Sequence, residues 1–264
     1  MIVSTLQTVA DAWPAGALAA VLLFGLAIGS FLNVVIVRVP EGRSLWRPRS
    51  ACPGCSAQLA WHDNIPVLSF LLLRGRCRGC GMRISRRYPI VEGVMGVALV
   101  SAYVAFGPTA DFVVAGVLLA TLIVITAIDL DRQLIPDVIT LPGIVAGLAL
   151  NLATGRISWF DSVVGILLGG GLFLVIILVS RGGMGGGDLK LGAMLGAFLG
   201  WKALLLALFV AVVLGGVVAI VFLASGLRGR KDPIPFGPFL AIGGAVAIFW
   251  GERIVSWYLS GFGV

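Results

Sequence analysis

Read for apolar and polar positions, the chain alternates between long hydrophobic runs and short polar interruptions. One membrane crossing needs about 20 mostly apolar residues. Runs of that kind lie near residues 15–38, 89–106, 112–128, 138–155, 161–180, 203–225 and 235–258. An eighth and weaker run, 188–201, is short and broken by Gly192, Gly196 and Gly200. It counts as a crossing because 188–225 is too long for a single passage, and Gly200-Trp201-Lys202 in its middle reads as an interfacial turn; seven crossings is the competing count. The pattern predicts an all-α polytopic membrane protein of about eight transmembrane helices. No internal repeat or low-complexity tract is apparent.

Composition narrows the class. Of 264 residues 59% are hydrophobic and 12% charged, with a mean hydropathy of +1.07. Soluble domains average about 25% charged residues, which argues against an ordinary soluble enzyme. The 37 glycines are about twice the usual share, as expected where small residues let membrane helices approach. The net charge of +7 first suggests an acidic partner such as nucleic acid, but its distribution points elsewhere. With eight crossings, sixteen of the nineteen Lys and Arg fall on one side and only Arg156, Lys202 and Arg253 on the other. Basic residues collect on the cytoplasmic side, so the 39–88 loop is predicted to be cytoplasmic and both termini outside. The basic loop then reads as an orientation signal near lipid headgroups rather than a nucleic-acid site. Residues 1–14 carry no Lys or Arg, so the first span reads as a retained helix and not a cleaved signal peptide.

Three parts follow: a first transmembrane helix (1–38), a cytoplasmic insert (39–88) and a membrane-embedded remainder (89–264). An insert of about fifty residues cannot build a stable core unaided. All four cysteines fall in it, as Cys52-Pro53-Gly54-Cys55 and Cys77-Arg78-Gly79-Cys80. Two C-x-x-C pairs 21 residues apart read as a closed tetrahedral zinc site of zinc-ribbon type, structural rather than catalytic. Two disulfides are the competing reading, which a reducing cytoplasm disfavours. His62, the only histidine, could replace one ligand, but four cysteines suffice and a solvated or interfacial role is simpler.

A single histidine also excludes an H-E-x-x-H metalloprotease, and no P-loop is present. Chemistry falls to carboxylates. Asp129 continues the apolar run 121–128 with no polar buffer, at the cytoplasmic end of the third span, and Asp188 ends a glycine-rich stretch, 182–187, on the same side. Alone, Asp129 would be a solvated helix end and Asp188 a helix N-cap. Together, at one depth on different helices, they are the material for an acid–base dyad. Two carboxylates crowded into a poorly solvated site share a proton, so one can activate water while the other polarises a scissile carbonyl. Gly185, Gly186 and Gly187 would let an extended substrate backbone approach. Asp131 reads as solvated, Asp137 as an acid at a positive helix start after Pro136, and Ser30 with Asn33 as interhelical hydrogen-bonding groups.

These stretches resemble the bacterial prepilin peptidases, the type IV leader peptidases of the GxGD aspartyl protease class. The resemblance is carried by 29–35 (GSFLNVV) with Arg38 and Pro40, Cys52 to Cys55, 64–69 (NIPVLS), the second cysteine pair, Arg87-Tyr88-Pro89 with Glu92, Asp129 seven residues before Pro136-Asp137, Gly185-Gly186-Gly187-Asp188 with Lys190, and Pro235-Phe236-Gly237-Pro238. It implies that Asp129 and Asp188 are the catalytic aspartates and that the tetracysteine module is the one found in long-form members. It further implies removal of the basic leader of type IV prepilins and type II secretion pseudopilins, by cleavage after glycine on the cytoplasmic side of the bacterial inner membrane. Methylation of the new N-terminal amine, usually of phenylalanine, by S-adenosylmethionine would follow. The leader could lie beside Asp131, Asp137 or Glu92. No Rossmann fingerprint is present, so the residues that bind S-adenosylmethionine are not identified. The rival from another class is an ion- or proton-coupled transporter using Asp129 and Asp188, which the tetracysteine insert and the absent repeat symmetry do not suit.

Overall fold

The computed structural model describes residues 15–180, 185–226 and 234–261. Seven helices are long and apolar enough to cross a membrane: α1 (Ala15–Arg38), α2 (Arg87–Phe106), α3 (Ala110–Arg132), α4 (Asp137–Thr154), α5 (Trp159–Val179), α6 (Gly186–Ala224) and α7 (Gly237–Ser260). Among the described residues there is no strand, only two isolated bridges in the insert. The chain divides into two compact units, Met1–Phe112 and Val113–Val264.

In the first unit α1 lies tightly on α2. A Cβ at Gly25 would sit 2.7 Å from the Gly96 Cα, and one at Gly29 2.6 Å from the Glu92 Cα. Asn33 Nδ2 donates to the carbonyls of Gly29 and Tyr88, at 3.3 and 3.1 Å, so the expected interhelical role of Asn33 is met. At the end of α1 the buried Arg38 guanidinium donates to the carbonyls of Ser44, Leu45 and Pro48, at 2.8, 3.4 and 2.7 Å, and so fixes the start of the insert.

In the second unit the expected sixth and seventh spans form one continuous element, α6, of 39 residues. At about 1.5 Å per residue this is nearly twice the thickness of a bilayer core. The element turns at Gly200, whose φ of 69° and ψ of 171° are non-helical and open only to glycine. Neighbours give the direction of each half. Gly187 lies against Ile135, just after α3, and Gly200 lies against Ile157 and Asp161 at the start of α5. Gly215 lies against Phe236 and Phe239, back at the end where Gly237 meets Asp129. The halves 186–199 and 201–224 therefore run in opposite directions, and the seven long helices contain eight apolar segments.

Tertiary hydrogen bonds make that turn possible. A helix ending at Gly200 leaves its last carbonyls without partners; Asn151 Nδ2 donates to those of Ala197 and Phe198, at 2.8 and 3.2 Å. Trp201 Nε1 donates to Asp161 Oδ1 at 2.8 Å, while Ser158 Oγ caps the start of α5 by accepting the Asp161 N–H and donates to Asp161 Oδ2. The glycines that weaken the 188–201 run turn out to be packing surface. Gly192 and Gly196 face Gly169 and Gly165 of α5 with their backbones in contact, the small-xxx-small arrangement of closely approaching membrane helices.

Candidate active site and metal centre

Asp129 lies in the last turn of α3, just before the 133–136 connection, and is 5% exposed. Its Oδ2 accepts the backbone N–H of Gly237 at 2.9 Å. That N–H is one of the unpaired donors in the first turn of α7, and a Cβ at position 237 would stand 2.6 Å from the same oxygen. Gly237 was part of a recognisable motif in the sequence, but no local pattern showed that it meets a carboxylate 108 positions earlier.

Asp188 stands in the first turn of α6, and the N-cap is Gly185 rather than Asp188 itself. The Gly185 N–H interacts with the Asp188 carboxylate, and the charge that acts on this carboxylate is that of Asp129. Two aspartates 59 positions apart in the chain thus reach one end of the second unit. Gly187 makes this approach possible: a Cβ there would lie 2.8 Å from the Ile135 Cβ, so the connection after α3 seats directly on the start of α6. Gly185 and Gly186 are exposed, and the space beside Gly186 is open. Gly182 to Met184 lie outside the described residues.

Asp137 does more than start a helix. Lys190 Nζ donates to its Oδ1 at 2.6 Å, tying the beginning of α4 to the first turn of α6 two residues past Asp188. Asp131 is exposed. Glu92 faces inward. It is 8% exposed and takes the Val67 N–H at 2.8 Å together with the Ser30 hydroxyl.

In the insert the four cysteine sulfurs lie within 4.8 Å of one another, and Cys52 Sγ is 3.7 Å from Cys80 Sγ. All four are free thiols. Four sulfurs about 2.3 Å from a tetrahedral zinc stand about 3.8 Å apart, so the geometry fits a metal and not a disulfide pair. The N–H groups of Cys55 and Gly54 draw the Cys52 thiol down to about 6. The Met82 N–H acts in the same sense on Cys80, but burial and the neighbouring thiols outweigh it and push that thiol up to about 11. Thiols this close cannot all ionise without a cation among them, which is the condition zinc relieves.

The two cysteine knuckles are copies of one another in their hydrogen bonds as well as in their C-x-x-C spacing. Cys52 N–H donates to Ala57 O and Ser56 N–H to Cys52 O; 25 residues later Cys77 N–H donates to Met82 O and Gly81 N–H to Cys77 O. Ser56 and Gly81 both have positive φ. His62 stands outside the sulfur cluster, next to Asp63. Asp63 takes two bonds from Arg78, at 3.0 and 2.7 Å, and this guanidinium holds its carboxyl below the usual range.

Residues 116–220, which include both aspartates, match the type IV leader peptidase family, and residues 23–106 match the bacterial peptidase A24 N-terminal domain. A protein of Aeromonas hydrophila named prepilin leader peptidase/N-methyltransferase is 40% identical over 92% of this chain and 93% of its own length. The chain belongs to the type IV leader peptidase family. Relatives with the same name in Myxococcus xanthus and Burkholderia pseudomallei strain 1026b are 47% and 40% identical, over 83% and 89% of this chain and 67% and 85% of theirs. No solved structure matches the chain. Within the family's frame the N-terminal match carries the tetracysteine cluster and Glu92, and the peptidase match carries Asp129 and Asp188.

Proposed function

We propose that this chain is a prepilin peptidase and N-methyltransferase of the bacterial inner membrane, and that Asp129 and Asp188 are its catalytic pair. The observation that carries the reading is the convergence of these two carboxylates at one end of the second unit, beside two exposed glycines. Gly237 fixes Asp129 Oδ2, so the chemistry falls to Oδ1 and to the Asp188 carboxyl. With one proton shared between them, the charged carboxylate takes a proton from water as it attacks, and the protonated one donates to the scissile carbonyl. The open edge at Gly185 and Gly186 suits an extended peptide, the form in which a helix-prone segment can be hydrolysed.

The charge asymmetry of the loops supports an orientation with both termini outside and the cysteine insert in the cytoplasm. In that orientation the aspartates meet a basic leader on the cytoplasmic side, cut after glycine, and leave the apolar remainder of a type IV prepilin or type II pseudopilin in the lipid. Cys52, Cys55, Cys77 and Cys80 would hold a structural zinc ion that supplies the insert's folding free energy. S-adenosylmethionine would then methylate the new N-terminal amine.

Mass spectrometry of a prepilin incubated with the purified protein and S-adenosylmethionine tests both steps at once. A product shortened by its leader and carrying one added methyl group is expected. Asp129→Asn and Asp188→Asn, checked for folding, should each lower cleavage by at least about 10³-fold, within the range for general acid–base groups. Substantial turnover by either variant would remove the dyad.

A further inference from the structure

The second activity needs a site, and the first unit contains a buried carboxylate that proteolysis does not use. Glu92 is 8% exposed and Asn33 3%. Both lie on the α1–α2 seam, where Asn33 Nδ2 donates to the carbonyl of Tyr88, one turn before Glu92. Among the described residues the partners of Glu92 are neutral donors, the Ser30 hydroxyl and the Val67 N–H. Asn33 Oδ1 is buried and accepts no hydrogen bond. The basic groups nearest in sequence are placed as follows: Arg38 on α1 is engaged by the carbonyls of the insert's start, and Arg87 begins α2.

The cover over Glu92 is strained. Val67 has φ 60° and ψ −47°, and the N–H of Leu68 donates across it to Pro66 O at 2.6 Å. This is the γ-turn of the rarer hand, which is costly at a β-branched residue, and such strain gathers at functional sites. A buried carboxylate and an unpaired amide oxygen form an acceptor-rich seam whose complement is a donor-rich cation. An ammonium N–H binds a carboxylate about twice as strongly as a neutral amide does, so it can displace the strained Val67 N–H.

We propose that this seam receives the new N-terminal ammonium of the cleaved pilin and that Glu92 is the proton acceptor for its methylation. The assignment rests on the methyl-transfer reading above. Glu92 takes one proton from the ammonium. The freed nitrogen lone pair attacks the methyl carbon of the sulfonium donor as the carbon–sulfur bond breaks, its electron pair passing to sulfur to leave a neutral thioether. The product is a methylammonium, and Glu92 returns its proton to solvent.

The experiment uses the full-length, zinc-bearing protein, S-adenosylmethionine and a synthetic pilin peptide that already has a free N-terminal phenylalanine. Methyl gain is followed from pH 6.5 to pH 9, with prepilin cleavage measured in parallel. For Glu92→Gln, cleavage should remain at the wild-type level, while methylation falls about 20-fold at pH 6.5, where only about one free α-amine in twenty is neutral. The deficit should close toward pH 9, where the amine no longer needs a base. Glu92→Asp keeps the carboxylate and should restore part of the lost rate, which also carries the test if the glutamine variant does not fold. Wild-type methylation by Glu92→Gln at pH 6.5, a loss independent of pH, or joint loss of cleavage and methylation in both variants overturns the assignment. A wild-type protein that cleaves but never methylates refutes the methyl-transfer reading itself, and the inference with it.

Discussion

The insert and the helix bundle of the second unit are held together by different means. The bundle has fully buried Met194, Leu195, Phe198, Leu204 and Leu240, and seams where glycine backbones touch. In the insert, among the described side chains of residues 39–86, only Cys52 and Gly75 are buried. Hydrophobic packing fixes the first region and cannot fix the second, where two small hairpins and four sulfurs take its place. A region without a core tolerates change at its surface, and under the proposed zinc site it depends on the metal. A region of glycine seams tolerates almost no added volume.

The largest expected effect breaks the insert alone. Chelation, or Cys52→Ser with Cys77→Ser, should remove one zinc per chain and about 10 kcal/mol of folding free energy. Limited proteolysis should then cut within 39–86 while the helical circular dichroism of the bundle persists. A fully folded insert without metal would abolish the contrast. The same dependence gives a pH sign: zinc needs thiolates, so it should be released as pH falls and the thiols reprotonate.

The bundle's counterpart is Gly196→Val, which would drive a side chain into the Gly165 backbone. Overpacking of this kind should cost about 3 kcal/mol, read as a lower unfolding temperature in detergent with zinc content unchanged. Gly237→Ala sharpens the comparison at the proposed catalytic pair. The added methyl would press on Asp129 Oδ2, and a displacement of that order can lower cleavage by about 10²-fold while the unfolding temperature barely moves. Smallest of all, Lys190→Gln should change stability by about 1 kcal/mol or less, since Lys190 and Asp137 are partly exposed.

Most of the helices and the cysteine cluster are legible in the sequence because their signals are local. A run of apolar residues must span or be buried, and two C-x-x-C pairs carry their own ligand geometry. What the sequence does not carry is non-local. Gly192 and Gly196 weaken the 188–201 run in isolation, and only Gly165 and Gly169 opposite them make them a packing surface. Asp137 is the helix-start acid its position after Pro136 implies, but its bond to Lys190, 53 positions on, has no signal in the sequence. The bond from the Val67 N–H that covers Glu92, 25 positions away, likewise has no signal in the sequence.

By itself the sequence determined that this chain has the apolar helices of a membrane protein, that its four cysteines form one cluster, and that Asp129 and Asp188 are the acids to consider. Composition and spacing suffice for these because each depends on solvent or on close neighbours in the chain. Only the tertiary structure decided that α6 turns back at Gly200, that Gly237 holds Asp129, and that Gly187 admits Ile135, so that the start of α6 seats on the connection after α3. Each depends on backbones from distant parts of the chain meeting at less than side-chain distance, and nothing in a linear pattern specifies which two will meet.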